Sequence, residues 1–308
     1  MPKWLQEFRN NPILVKEFRS RMRTVKTPIM LLLYLLVIGG LIFGFIYMTY
    51  ANRTWFRPGE SKTLFVFLSV LQMILVGFVA PGLTAGTISG ERERQTLSIL
   101  LTTHLSPWKI VLSKMTASLS FITLLVFATL PLYAIVFMYG GVSPAQLLTV
   151  FGYYLMCMIL FGSIGMFCSA WVKRTGVSTV LAYALTFFLL GGTAMIAVFV
   201  NEYMQMRAAR AFGGMVPLPH PEIFYISALN PVLNLLGIFD PDYVMMGQGR
   251  NAATGVQTTP MPTWLYFMIV YMPLSVILIT SAVRMLMPVK RPLFGRSKAK
   301  TKQSEAGQ

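Results

Sequence analysis

Glu91, Arg92, Glu93 and Arg94 place two acidic and two basic side chains within one helical turn, in a chain with only 10 acidic residues and 2 histidines among 308. The carboxylates can pair with Arg92 or Arg94 inside the segment, or with groups on a partner. Surface pairs of this kind contribute little stability, so their value lies in orientation. The constellations that would make the chain an enzyme are missing. It has no Gly-x-x-x-x-Gly-Lys-[Ser/Thr] loop to cradle ATP phosphates, no His-Glu-x-x-His and no Gly-x-Ser-x-Gly. His104 and His220 fall on opposite expected sides of a membrane and cannot share a metal. Asp240 and Asp242, in Phe-Asp-Pro-Asp-Tyr, have the residue types for a cation, but a turn is the preferred reading. Cys157 and Cys168 lie about 16 Å apart along one helix, too far for a disulfide. The chain is therefore expected to be no enzyme and to bind no metal or cofactor of its own.

The charged turn sits in a longer pattern. Gly82, Gly86 and Gly90 recur every four residues, so they share a helix face that another backbone can approach. Leu97, Leu100 and Leu101 follow at helical spacing and make a short amphipathic helix. Ser106-Pro107 reads as an N-cap with proline at the first helical position. Trp108, Lys109 and then Lys114 lead into the next apolar run. The segment from Gly90 to Lys114 resembles the first cytoplasmic loop of type-2 ABC-transporter permeases. That resemblance implies a coupling helix that docks on a separate ATPase subunit, with Gly90, Glu91, Arg92, Glu93, Arg94, Thr96, Leu97, Leu100 and Leu101 as its residues. It implies a second permease copy or a homologous permease, ATP and Mg bound on the partner subunit, and alternating access driven from outside the chain. The competing reading is a charged interfacial loop that anchors helix ends, with the leucines packed on the protein's own helices.

Composition bounds the class. The chain is 55% hydrophobic and 12% charged, against about 25% charged in a soluble domain. Several apolar runs reach the ~20 residues that a bilayer core requires. The reading is an all-α integral membrane protein with six transmembrane helices, at about 29–50, 63–88, 115–139, 145–171, 177–200 and 262–287. An N-terminal amphipathic interfacial helix precedes them, within residues 1–28. There Leu14, Val15, Phe18, Met22 and Val25 share one face, while Lys16, Arg19, Arg23 and Lys26 share another, suited to anionic headgroups of membrane lipids. A partner-docking role is compatible with the same pattern. The run from Ile223 to Phe239 is marginal for spanning, and reads as a re-entrant or interfacial helix before the last span. In domain terms, 29–287 is the transmembrane unit, with a coupling loop at 90–114 and an external segment at 201–262; 288–308 is a basic cytoplasmic tail.

Six spans with both ends cytoplasmic place 20 of the 26 lysines and arginines inside, including Lys173 and Arg174 in a second short turn. The net charge of +16 then needs no nucleic-acid partner. The spans carry almost no ionisable group, which argues against a proton-coupled carrier and for an external motor. The functional expectation is the permease subunit of an ATP-binding-cassette transporter in a bacterial cell membrane, exporting rather than importing. The alternatives are a membrane enzyme or assembly factor without a motor, and a channel. Orientation is directly testable. A cysteine at Thr258 is expected to react with an impermeant reagent on intact cells and a cysteine at Ala299 to be protected; labelling of both from one side overturns the topology.

Overall fold

The computed structural model describes residues 26–50, 58–98, 106–138, 142–212, 221–240 and 262–287. They are helical throughout, with short turns between. In chain order the helices are α1 (Lys26–Tyr50), α2 (Pro58–Thr84), α3 (Ser89–Glu93), α4 (Pro107–Ala128), α5 (Leu130–Met138), α6 (Pro144–Trp171), α7 (Thr175–Phe187), a π-helical turn (Phe188–Gly192), α8 (Thr193–Phe212), α9 (Pro221–Ala228), α10 (Pro231–Phe239) and α11 (Thr263–Leu286). Six of the resulting rods are long and apolar enough to cross a membrane: α1, α2, α4 with α5, α6, α7 with α8, and α11. This is the multi-pass all-α membrane fold the apolar runs imply. The N-terminal segment with Lys16, Arg19 and Arg23 lies outside the described residues, as do the tail and the turn beyond Asp240.

The spans differ from the sequence reading in how they end and bend. The third starts at Pro107 rather than near 115, because proline at N1 opens the helix and the basic Lys109 and Lys114 are carried inside it. Ser106 occupies the N-cap position but makes no side-chain cap bond. The fifth continues to Phe212 and contains the π-turn, which the even apolar pattern did not betray. At the start of α6 the sequence signal is realised in full. Ser143 Oγ accepts from the Gln146 N–H at 3.2 Å, and Gln146 Oε1 accepts from the Ser143 N–H at 3.0 Å, a capping box followed by Pro144.

Helix α6 is the axis of the bundle. Two thirds of its apolar window is buried (67%), against 17% for α1 and 17% for α7 with α8. It packs on α2, α4, α7, α10 and α11. Its contact with α2 is close because Gly165 has no side chain. A methyl there would collide with the Thr84 hydroxyl and come within 3.1 Å of the Pro81 carbonyl oxygen. Several polar groups in the span region are tied within the bundle. Tyr34 donates to Gln72 Oε1 at 2.7 Å, Tyr154 donates to the Ser69 carbonyl at 2.9 Å, and the Tyr133 and Tyr154 hydroxyls meet at 3.0 Å. A groove of about 280 Å³ opens between α6 and α11, lined by Thr149, Gly152, Tyr153, Met156, Trp264 and Met268.

The run 223–239 is neither one helix nor separate from the bundle. It forms α9 and α10, broken at Leu229–Asn230, and α10 packs on α2, α6 and α11. The break exposes carbonyls that a bilayer cannot hydrate. Tyr271 donates to the Leu229 carbonyl at 2.8 Å and Tyr153 to the Pro231 carbonyl at 3.0 Å. Asp240 lies 3.9 Å from Lys62 at the start of α2, which ties the end of α10 to that span.

The close α2–α6 approach generates a paired prediction. Gly165→Ala is expected to lower the thermal unfolding midpoint in detergent, at a cost of about 1–3 kcal/mol for overpacking. Gly152→Ala, where nothing lies within 4 Å, is expected to be neutral in the same measurement.

Candidate functional site

The charged stretch lies where the chain leaves α2. Helix α2 ends at Thr84, four turn residues follow, and α3 begins at Ser89. The glycines therefore do not lie on one unbroken helix, although the stripe still meets a single neighbour. A methyl on Gly82 would collide with the Tyr183 hydroxyl, and one on Gly86 would sit 3.2 Å from Thr175 Cγ2, both on α7. The break strands two backbone donors, Ile88 N–H and Ser89 N–H. Both donate to Ser169 Oγ on α6, at 2.9 and 3.0 Å. Ser178 on α7 donates to the Ala85 carbonyl at 2.8 Å. A kinked segment is thus locked by two hydroxyls from other spans.

Three of the four charged side chains turn inward onto the protein. Glu91 Oε1 meets Lys114 Nζ at 2.7 Å, and that lysine side chain is only 4% exposed. This bond holds α3 against α4. Removing one partner of such a pair costs about 3–5 kcal/mol, so Glu91 is structural as well as positional. Arg92 donates to the Ala170 carbonyl at 3.2 Å and the Val172 carbonyl at 3.3 Å. These carbonyls close α6, where a cation is favoured by the helix dipole. Glu93 accepts from Thr175 N–H at 2.8 Å and from Thr175 Oγ1 at 2.6 Å. Thr175 opens α7, whose own N-cap residue Arg174 supplies no side-chain bond. Glu93 thus caps a helix that is remote in sequence.

Within the chain, neither carboxylate pairs with an arginine of its own segment. Glu91 and Glu93 bond to Lys114 and Thr175, not to Arg92 or Arg94. Arg92 and Glu93 together grip both sides of the second turn, so Lys173 and Arg174 are carried beside the first loop. Arg94, Lys173 and Arg174 are exposed. Gly90 lies 3.8 Å from Thr175 Oγ1, measured from a virtual methyl, and needs no special freedom.

After α3 the chain reverses at Gln95, whose φ of 59° is left-handed, a conformation that costs a non-glycine residue energy. Helical backbone resumes at residues 96–98. Thr96 Oγ1 donates back to the Glu91 carbonyl at 3.3 Å. Leu97 is half-buried and packs on a cluster of Ile88, Val111, Met115, Met166, Ala170, Ala282, Val283 and Leu286. The self-packing alternative is therefore realised for Leu97. Leu100, Leu101 and His104 lie outside the described residues. The same cluster brings the end of α11 to this end of the bundle, so the chain leaves the last span beside both turns. Trp108 and Trp171 stand exposed here, while Trp264 marks the opposite end.

Sequence reasoning passed over Ser169, Thr175 and Ser178. Ser169 falls in helical register with Gly162 and Gly165, a small-residue stripe on α6 that would have marked its close-packed face. Lys114 closed the motif without a stated role. Nothing in the sequence paired it with Glu91, 23 positions earlier.

A family model described as the ABC-2 family transporter protein matches residues 11–287 of the chain. No individually curated protein matches it.

The Thr175 hydroxyl and then its N–H hold the exposed Glu93 carboxyl below the ordinary carboxylate range, with Arg174 adding a smaller pull. A lowered folded pKa means that the capping is complete above the ordinary carboxylate value and is lost as pH falls through the lowered one. A spin label at Val177→Cys, on the first turn of α7, is expected to gain mobility over that acid range. In Glu93→Gln the label is expected to be mobile at neutral pH and to lose this acid response.

Proposed function

This chain belongs to the ABC-2 transporter family, and from that membership we propose that its two short turns form one docking platform for an ABC ATPase subunit. Membership makes it a membrane-embedded transport subunit, not itself catalytic, that associates with an ABC ATPase. The finer reading is a permease that works beside a second copy or a homologous permease and exports its substrate across the bacterial plasma membrane. ATP and Mg are bound and consumed on the partner. Both termini face the cytoplasm, as the distribution of lysine and arginine requires.

The observation that carries the platform reading is the Arg92–Glu93 grip on the second turn. A motor can bias a permease only through contacts that differ between its states. A flexible loop would absorb a push. Here α3 is bonded to α4 through Glu91, to the end of α6 through Arg92, and to the start of α7 through Glu93. Displacement of α3 therefore reaches several spans at once. Among the described residues of the two turns, the charges left for a partner are basic: Arg94, Lys173 and Arg174. Leu97 acts by seating the platform on the bundle, and Leu100 and Leu101 supply the apolar contact with the ATPase. Export fits a family that suggests no soluble binding-protein partner.

The test is co-purification of the ATPase with variants reconstituted in lipid. Arg94→Glu combined with Lys173→Glu alters exposed charges, so insertion is expected to be normal. Like-charge juxtaposition at an interface costs several kcal/mol, and capture of the ATPase is expected to weaken about tenfold or more. Capture and stimulated hydrolysis at the wild-type level would falsify the platform.

A further inference from the structure

The fifth span joins the platform to the far end of the bundle, and it is not a uniform rod. Its first part, α7, is 13 residues long, about 20 Å of helix. Its first residue is held by Glu93, and its face lies on the glycine stripe of α2 through Thr175 and Tyr183. After α7 comes the π-turn Phe188–Gly192, closed by Thr193 N–H donating to the Phe188 carbonyl. A π-turn holds an extra residue and leaves neighbouring carbonyls poorly served, so it is a place where a helix yields.

Two side chains answer those carbonyls: Thr193 Oγ1, within the span, donates to the Leu189 carbonyl at 2.6 Å, and Asn230 reaches in from outside it. Asn230 is fully buried at the break between α9 and α10. Its amide Nδ2 donates to the Leu190 carbonyl at 2.8 Å, to Thr193 Oγ1 at 2.8 Å and to the Leu189 carbonyl at 3.1 Å. Its Oδ1 accepts from Val232 N–H and Leu233 N–H, both at 2.8 Å, and so caps α10. The same residue thus opens α10 and fills the irregular turn of the fifth span. The pair is in turn bonded to α6 through Tyr153 and to α11 through Tyr271.

We propose that Asn230 is the positioning residue through which motion of the platform reaches the α9–α10 pair, with α7 as the rigid lever and the π-turn as its yielding point. The inference rests on the platform reading. Neither function of Asn230 is served by an aliphatic residue. The capping half alone is served by serine, which is a good N-cap but too short to span to the π-turn. That difference separates a structural role from a transmitting one.

The test uses the full permease with its co-purified ATPase in lipid, with and without ATP and vanadate. A spin label at Ser98→Cys reports the platform, and one at Tyr225→Cys reports the α9–α10 pair; both positions are exposed and the native thiols are buried. In the wild-type background both labels are expected to change on nucleotide trapping. In Asn230→Ser the change at 98 is expected to persist and the change at 225 to be lost. Thr193→Val, which removes one amide partner without touching the α10 cap, is expected to reduce the change at 225; it serves as the second variant if Asn230→Ser does not assemble. A response at 225 that survives both substitutions overturns the proposal, as does a wild-type label at 225 that stays silent while 98 responds. Silence at 98 instead refutes the platform reading on which it rests.

Discussion

A helix that breaks inside a bilayer strands backbone groups that water cannot reach, and each such group left alone costs several kcal/mol. Much of this structure consists of answers to that constraint. The break after α2 is answered by Ser169, the π-turn and the start of α10 by Asn230, and the carbonyls at 229 and 231 by Tyr271 and Tyr153, while at the exposed turns Arg92 serves the end of α6 and Glu93 the start of α7. Apart from the start of α10, which Asn230 caps from its own N-cap position, the answering side chain comes from another element. The irregular points are therefore also the points where the spans are bonded to one another, and this gives the bundle defined joints rather than diffuse packing.

This view changes the meaning of the charged turn. As a free-standing loop it would be a set of four charges offered to a partner. In the folded chain Glu91, Arg92 and Glu93 are committed to Lys114, to the end of α6 and to Thr175. What the loop offers outward is its rigidity and the basic residues it gathers. The Glu91–Lys114 pair serves position more than stability, since an apolar pair of similar volume would pack there as well.

The spans were legible because apolar runs of bilayer length have few other uses. Chain termini of the spans were legible where a local signal exists, as at Ser143-Pro144, and displaced where proline carried basic residues into the helix, as at Pro107. The interruption at 229–230 was visible as Asn230-Pro231, an N-cap followed by proline, but whether the halves would pack within the bundle depended on Tyr153 and Tyr271, distant in sequence. The π-turn was not legible. Phe188 to Gly192 continues an apolar run whose one local mark is Gly191-Gly192, and the asparagine that bonds its carbonyls lies forty residues later. In the site, the charged residues and the glycine stripe could be picked out by type and spacing. Their partners could not, because Ser169, Lys114 and Thr175 are single polar residues whose importance arises only when spans meet.

The Arg92–Glu93 grip also sets an order of events in synthesis. Arg92 waits for the carbonyls of Ala170 and Val172, and Glu93 for Thr175, about eighty residues downstream. While the first three spans are in place and the next two are still on the ribosome, the charged turn has Lys114, its own local bonds and the packing of Leu97 on the third span, but neither anchor of the grip. The folded arrangement of the charged turn is thus completed only after the fifth span has entered the membrane beside the second.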